Sequence, residues 1–379
     1  MPRRIKTRIS GLNGELLALT THLHKHGASY MTANQVPPEI RLFGLQQRPK
    51  SRIYWFELRA GDQNCLLRVK IPLHPDGPGT SRVGSNLHTR PRRFPIADLE
   101  RKFELEYAAL KAIHNYFQEL GDPRFGSVRV LDFLPDIRAN VMEEIKEPSL
   151  KQLFAGQTRL QVFWPKAKFD TAFNNAGAWL RAYHALVKPA VTRHFRRSEF
   201  IETISSLTHY LGMKLSAEPF FSNVASRAAR ASLKELPEIL PVGLCHGDYA
   251  MRNILVGPAG RVTVLDTLAR WRTAVFDDIG YFLTNLKMTW PQVITQGMVY
   301  KSDLISRYEH QFLKGYFEGE PIPIPAVRLY EVQSLLDKWS ANVARRKRLR
   351  KHTRINHMHQ RLEDRYFKKT LNSLLHWIH

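Results

Sequence analysis

The stretch "LCHGDYAMRNILV", residues 244–256, places a His, an Asp and an Asn close together and then runs directly into apolar residues. The next ten residues give the cluster a purpose. Ile254–Val256 predicts a short strand, "GPAG" (257–260) a turn, and "RVTVLD" (261–266) the returning strand. Asp248 then lies in the loop ahead of a hairpin, Asn253 opens its first strand, and Asp266 closes the second, folded back beside Asn253. Three oxygen-bearing side chains thus converge at one end of a two-stranded unit. Oxygen donors without imidazole or thiolate suit a hard cation such as Mg²⁺, which keeps waters and shares phosphate oxygens. Taken alone, the loop also fits a structural turn, with Asp and Asn bonding backbone and His246 packed in the core.

The hairpin interrupts a helical region and is preceded by a strand-rich one. "EIRLFGL" (39–45), "SRIYWFEL" (51–58) and "NCLLRVKI" (64–71), the last two joined by "AGDQ" (60–63), predict an antiparallel meander. Residues 74–97 are rich in Gly, Pro, Ser and Arg and predict a long basic loop. "DLERKFELEYAALKAIHNYFQEL" (98–120) has helical periodicity, with Leu99, Phe103, Tyr107, Leu110, Ile113 and Phe117 on one face and Asp98 as N-cap. Strands are expected at 127–134 and 139–145, then helices at 169–187, within 199–238, and from about Asp278 onward. A short helix near 14–26 and a linker precede the meander. The expected organisation is an N-terminal arm (1–38), a strand-rich lobe with one helix (39–145), and a helical lobe (146–379) carrying the hairpin.

The chain has 379 residues, 43% hydrophobic, enough for more than one lobe. No apolar run reaches the length of a membrane-spanning helix, and the charged start lacks the apolar core of a signal peptide. Cys65 and Cys245 form no CxxC pattern, which points to a reducing cytoplasm rather than a disulfide framework. The net charge of +23 favours polyanions, whether nucleotide, nucleic acid or an anionic membrane, without choosing among them.

"HGDYAMRN" (246–253) resembles the H-G-D-x-x-x-x-N loop of aminoglycoside phosphotransferases, choline kinases and related small-molecule kinases. "NNAGAWLRAYHAL" (174–186), "VMEEIKEPSL" (141–150) and "FDDIGYFL" (276–283) are similar, respectively, to that family's helix before the loop, its lobe connector, and its segment after the metal-binding Asp. The resemblance implies an α+β, bilobal, protein-kinase-like fold: a small antiparallel-sheet N-lobe and a larger, mainly helical C-lobe with the catalytic hairpin. It implies ATP and Mg²⁺ as cofactors. Asp248 would accept or orient the acceptor hydroxyl proton, while Asn253 and Asp266 hold Mg²⁺. His246 and Asp278 would brace the loop, and the backbone around Met142, Glu143 and Ile145 would meet adenine.

The phosphate anchor stays open between Lys70, slightly favoured, and Arg68, two residues apart on one strand and so on one face. Its helix partner is Glu106, with Glu104 second. Two departures stand out. The phosphate loop reads "GLQQRPKSRIY" (44–54), with Ser51 in the usual Ser place and Arg52 where an Asn is usual; Arg48, Lys50 and the Ser51 amide remain able to clamp phosphates. In "LDTLARW" (265–271), Leu268 replaces the usual acidic residue and Arg270 comes two residues later.

The expected activity is an ATP- and Mg²⁺-dependent transfer of a γ-phosphoryl group to a hydroxyl of a small molecule. The basic chain points to an anionic or neutral acceptor, such as a sugar or lipid-linked glycan, over a cationic one. "ARRKRLRKHTR" (344–354), after the amphipathic "LYEVQSLLDKWSANV" (329–343), is read first as a solvated helix face. Docking on anionic lipid at the inner face of the membrane is the sharper alternative, and nucleic acid is the less favoured partner. The rival to catalysis is a pseudokinase that binds nucleotide as a scaffold.

Overall fold

The computed structural model describes residues 10–31, 37–48, 51–73, 102–157, 166–186, 194–267, 271–346 and 354–377. They fall into two compact units. The first takes the described residues up to 73, with 102–114 and 128–146. The second takes 115–127 and everything described from 147 onward.

The first half of the chain runs α1 (Ser10–His26), β1 (Glu39–Arg48), β2 (Ser51–Ala60), β3 (Gln63–Pro72), α2 (Lys102–Leu120), β4 (Phe125–Gly126), β5 (Val130–Leu134) and β6 (Ala139–Glu143). Five of these strands form an antiparallel sheet in the order β1-β2-β3-β6-β5. The predicted meander is present, each strand slightly longer than its sequence signal. The loop 74–97, the Asp98 cap and Leu99 lie outside the described residues, as does the side chain of Phe103.

Strand alternation sorts the sheet's two faces. Tyr54 pairs with Val69 and Phe56 with Leu67, so Tyr54, Phe56, Leu58, Leu67, Val69 and Ile71 form one apolar face. Helix α1 covers it with Leu19 and Leu23. Two polar clusters fasten α1 and the turn after it. Glu15 pairs with Arg52 and accepts from Tyr54 Oη at 2.9 Å. Asp132 accepts from Tyr30 Oη at 2.9 Å and meets His22 Nε2 at 3.0 Å. Residues 10–31 of the segment expected as an arm therefore pack onto the N-terminal core. Arg68 and Lys70, of opposite parity, project from the other face of β3.

The rest of the chain gives α3 (Leu150–Ala155), α4 (Lys166–Ala185), β7 (Phe195–Arg196), α5 (Arg197–Leu215), α6 (Glu218–Glu235), β8 (Ile239–Leu240), β9 (Val242–Cys245), β10 (Ile254–Val256), β11 (Val262–Val264) and β12 (Trp271–Ala274). Helices α7 (Phe276–Lys287), α8 (Trp290–Ile294), α9 (Ser302–Phe317), α10 (Ile324–Arg346) and α11 (Arg354–His376) complete it. Glycines bring the central helices into backbone contact. A Cβ at Gly177 of α4 would lie 2.0 Å from Phe312 O, and one at Gly315 of α9 would lie 1.8 Å from Asn174 O. Aromatic rings fill the space around this contact, with Phe173 stacked on Tyr308 at 4.5 Å and Phe282 on Phe312 at 4.0 Å.

The hairpin is larger than its sequence signal. β11 pairs on its far side with β4, in parallel, and β9 pairs with β12. Strands this short carry too few residues for a period-2 pattern. The amphipathic stretch of α10 turns its apolar residues, among them Leu335, Leu336, Trp339 and Val343, into the core. α11 packs on it through Trp339 and Phe367, 5.2 Å apart, and through Arg346, which pairs with Glu363 at 2.7 Å and Asp364 at 2.9 Å. Residues 347–353 of the basic segment lie outside the described residues. No described helix is long and apolar enough to cross a membrane.

Candidate active site

β9 leads into the loop 246–253, and several partners hold that loop in place. Asp278, in the first turn of α7 and fully buried, accepts the backbone N–H of His246 at 2.5 Å and of Gly247 at 2.9 Å. Gly247 has φ +78°, a conformation that favours glycine. Asp278 also meets His184 Nε2 at 3.2 Å, whose Nδ1 lies 2.9 Å from Tyr316 Oη. His246 Nδ1 accepts from the Asp248 N–H at 3.2 Å, and its Nε2 donates to Leu265 O at 3.1 Å. Both ring nitrogens are thus engaged in shaping the loop. Tyr249, fully buried, donates to Ala176 O of α4 at 2.7 Å. His184, Cys245 and Asp278 are close enough to resemble a metal cluster. Each is instead hydrogen-bonded, Cys245 Sγ toward Thr273 O at 3.7 Å and Ala274 O at 3.6 Å.

The braced loop presents Asp248, whose side chain is 42% exposed and so reachable by a ligand. Its Oδ1 accepts from Tyr281 Oη at 2.7 Å and pairs with the Arg252 guanidinium four residues on. Its Oδ2 accepts from Asn253 Nδ2 at 3.1 Å. Asn253 Nδ2 also donates to Asp248 O at 2.9 Å. With the amide nitrogen committed twice, Asn253 Oδ1 faces no protein donor among the described residues. The Leu265 N–H donates to Asn253 O at 2.8 Å, which sets Asp266 next to this position. Asp266 has φ +59°, a left-handed conformation uncommon outside glycine and enriched at functional sites. A carboxylate and an amide oxygen fit the hard-donor set that Mg²⁺ prefers.

Electrostatics around Asp248 is dominated by cations. Burial works against the charge on Arg252, but Asp248 and Tyr281 outweigh it and raise its pKa. Burial and then Asp248 push the Tyr281 hydroxyl up. Lys338 of α10 donates to Asn285 Oδ1 at 2.6 Å. Desolvation first, then repulsion from Arg252 and Arg345, brings Lys338 down to about 8. No sequence signal assigns a role to Arg252, Tyr281, Asn285 or Lys338. Arg252 and Tyr281 stand inside recognisable motifs, at positions the motif leaves variable. Lys338 is remote in sequence and carries no pattern of its own.

In the N-terminal unit, Lys70 Nζ donates to Glu106 Oε1 at 2.6 Å, both residues buried. Glu104 is exposed. Among the described residues, the Arg68 Nε is buried without a hydrogen-bond partner, as is the second Glu106 oxygen, Oε2. Arg68 lies in the field of Glu144. Ser51 is buried at the start of β2, opposite Arg48, and Arg52 is engaged by Glu15. Met142 is buried in β6 opposite Arg68. The Glu143 N–H donates to Arg129 O at 3.0 Å and the Glu144 N–H to Leu66 O at 2.8 Å. Ile145 is the first connector residue whose N–H meets no backbone acceptor among the described residues. Leu268 and Arg270 lie outside the described residues.

No protein-family model matches the sequence, and no curated protein matches it. Solved structures do. A Ralstonia eutropha protein assigned to the aminoglycoside phosphotransferases is 14% identical, matches over 93% of this chain and 98% of its own, and gives a TM-score of 0.50. A Plasmodium vivax ethanolamine kinase is 10% identical over 95% of this chain and 88% of its own, with a TM-score of 0.49. A choline kinase of Streptococcus pneumoniae is 15% identical over 94% and 99%, with a TM-score of 0.47. At such identities the likeness is one of fold. The chain has the protein-kinase-like fold of the Ralstonia eutropha protein, the fold expected from its sequence.

Proposed function

We propose that the protein is an ATP- and Mg²⁺-dependent phosphotransferase that moves the γ-phosphoryl group of ATP to a hydroxyl of a small molecule. The observation that carries this is Asp248. It is an accessible carboxylate on a rigidly braced loop, hydrogen-bonded to Asn253, with Asp266 set beside them through the Leu265–Asn253 bond. Phosphoryl transfer asks chiefly for positioning and charge neutralisation, which this arrangement is suited to provide.

Asp248 orients the acceptor hydroxyl and takes its proton as the hydroxyl oxygen bonds to the γ-phosphorus. The bond from that phosphorus to the β–γ bridging oxygen breaks, and ADP leaves. Asn253 and Asp266 would hold Mg²⁺, which would supply neutralisation of charge on the phosphate oxygens. Lys70, positioned by Glu106, binds phosphate oxygens as a point charge. Arg68, whose buried Nε has no hydrogen-bond partner among the described residues, is the second candidate for that task. The Ile145 N–H is the connector donor left for a purine edge. His246 and Asp278 act on the loop, not on the substrate.

A scaffold that binds nucleotide without turnover is the second reading. It draws support from Arg52, which takes the place of the phosphate-loop Asn and is engaged by Glu15. Acceptor-dependent ADP formation by wild type, absent in Asp248→Asn with ATP binding retained, supports the phosphotransferase. ATP binding with no turnover on any hydroxyl acceptor supports the scaffold.

A further inference from the structure

Beside Asp248, Arg252 and Lys338 form a group of cations in which, among the described residues, Lys338 has no carboxylate partner. Arg252 pairs with Asp248 Oδ1. Tyr281 donates to the same oxygen, Asn285 Nδ2 donates to Tyr281 O at 2.8 Å, and Lys338 donates to Asn285 Oδ1 at 2.6 Å. A continuous run of contacts therefore joins Asp248 to Lys338. Among the described residues, Lys338 has no carboxylate partner, and its acceptor is a neutral amide. The charges that act on it most are Arg252, Arg345 and Lys151 against Asp248. Its lowered pKa reports the same imbalance. An ammonium drawn into protein beside a neutral acceptor and further cations is unfavourable unless an anion joins it. Packing holds it there. The next residue, Trp339, is fully buried and donates to Asp364 at 2.6 Å, while Arg346 is tied to α11. Lys338 remains partly open to solvent, so the compensating anion has access.

The geometry points to an acceptor that carries an oxyanion, a phosphate ester or a carboxylate, bound by Lys338 with Arg252 and Arg345 while its hydroxyl lies at Asp248. The inference rests on the phosphotransferase reading and names its substrate class. An oxyanion competes with Asp248 for Arg252, and so removes one of the two donors on Asp248 Oδ1, leaving Tyr281. A cationic acceptor meets like charge at the same place, which penalises it.

The test compares acceptors on one scaffold: glucose, glucosamine, glucose 6-phosphate and glucuronic acid. ADP formation is expected to be fastest with an anionic member, by roughly tenfold in kcat/KM over glucose, and slowest with glucosamine. The order of the two anionic members tells phosphate from carboxylate. Lys338→Met is expected to raise the KM of the preferred anionic acceptor by roughly tenfold. The KM for ATP should stay within about twofold, and Lys338→Arg should restore acceptor binding. Arg345→Gln, on an exposed position, gives a smaller effect in the same direction should Lys338→Met fail to fold. Calorimetric titration with the same four compounds reads binding apart from turnover. If neither anionic compound binds more tightly than glucose, or Lys338→Met and Arg345→Gln bind them as wild type does, the inference is overturned. Oxyanion binding that depends on Lys338 in a protein that does not bind ATP would sustain the anion site and overturn the phosphotransferase reading.

Discussion

Helices α7 and α10 carry charge clusters of opposite character. In one, Lys287 of α7 pairs with Glu309 at 2.8 Å and Glu331 at 2.7 Å, and Arg328 of α10 pairs with Glu331 at 2.8 Å and with Glu309. Two cations face two carboxylates, both of them buried. Burial alone would raise the pKa of Glu309, but Lys287 and Arg328 outweigh it and hold it below the usual carboxylate value. The other cluster joins Tyr281 and Asn285 of α7 to Lys338 of α10, where Arg252, Lys338 and Arg345 answer to Asp248. The first cluster is complete within the protein and serves the fold. In the second, Lys338 has no carboxylate partner among the described residues, and the proposed oxyanion acceptor would supply one.

The contrast is most exposed at Asp248. Asp248→Asn is expected to lower kcat on the order of 10²–10⁴-fold while circular dichroism and thermal midpoint stay near wild type, because the loop is braced by Asp278 and His246 and not by the Asp248 carboxylate. In the balanced cluster, Lys287→Met leaves two buried carboxylates with one cation. It is expected to cost about 3–5 kcal/mol in urea unfolding. The same cluster gives an acid limit. Glu309 titrates lower in the folded chain than its unfolded value of 4.5, so its stabilisation is fully present above that pH and is lost as pH falls through the folded pKa. Urea midpoints should fall steadily below pH 4.5 and stay flat just above it.

Removing a cation from the unbalanced cluster should do the reverse. Lys338→Met is expected to leave unfolding stability unchanged or raised, since it removes a desolvated ammonium with no carboxylate partner among the described residues, while it weakens anionic acceptors. Their binding to wild type should hold below about pH 8, where Lys338 is protonated, and weaken as pH rises through that value. Arg252, Arg345 and Lys151 depress this titration and Asp248 opposes them, so a bound oxyanion should move it upward. The smallest effect belongs to the fastening of α1. Glu15→Gln should lower stability by about 1 kcal/mol without changing the KM for ATP.

Much of the fold is legible in the sequence because its signals are local. The meander comes from alternation in β2 and β3, and the same alternation puts Arg68 and Lys70 on one face. The hairpin comes from two apolar triplets around a Gly-Pro turn. The features that escape depend on long-range pairing: β4 against β11, β9 against β12, and α1 against the sheet. Within the site, Asp248, Asn253 and Asp266 stand out because their spacing is itself the signal. Lys338 does not, since a Lys flanked by buried Leu335, Leu336 and Trp339 reads like any long side chain snorkelling from an apolar face. Only the positions of Asn285 and Arg252 give it meaning.

Transfer of label from γ-³²P-ATP decides whether Asp248 serves phosphoryl transfer to an anionic acceptor. With Mg²⁺ and glucose 6-phosphate or glucuronic acid, label is expected on the sugar's hydroxyl, dependent on Asp248 and enhanced over glucose. ATP bound but no label on any acceptor, or label passed equally well by Asp248→Asn, would contradict that role.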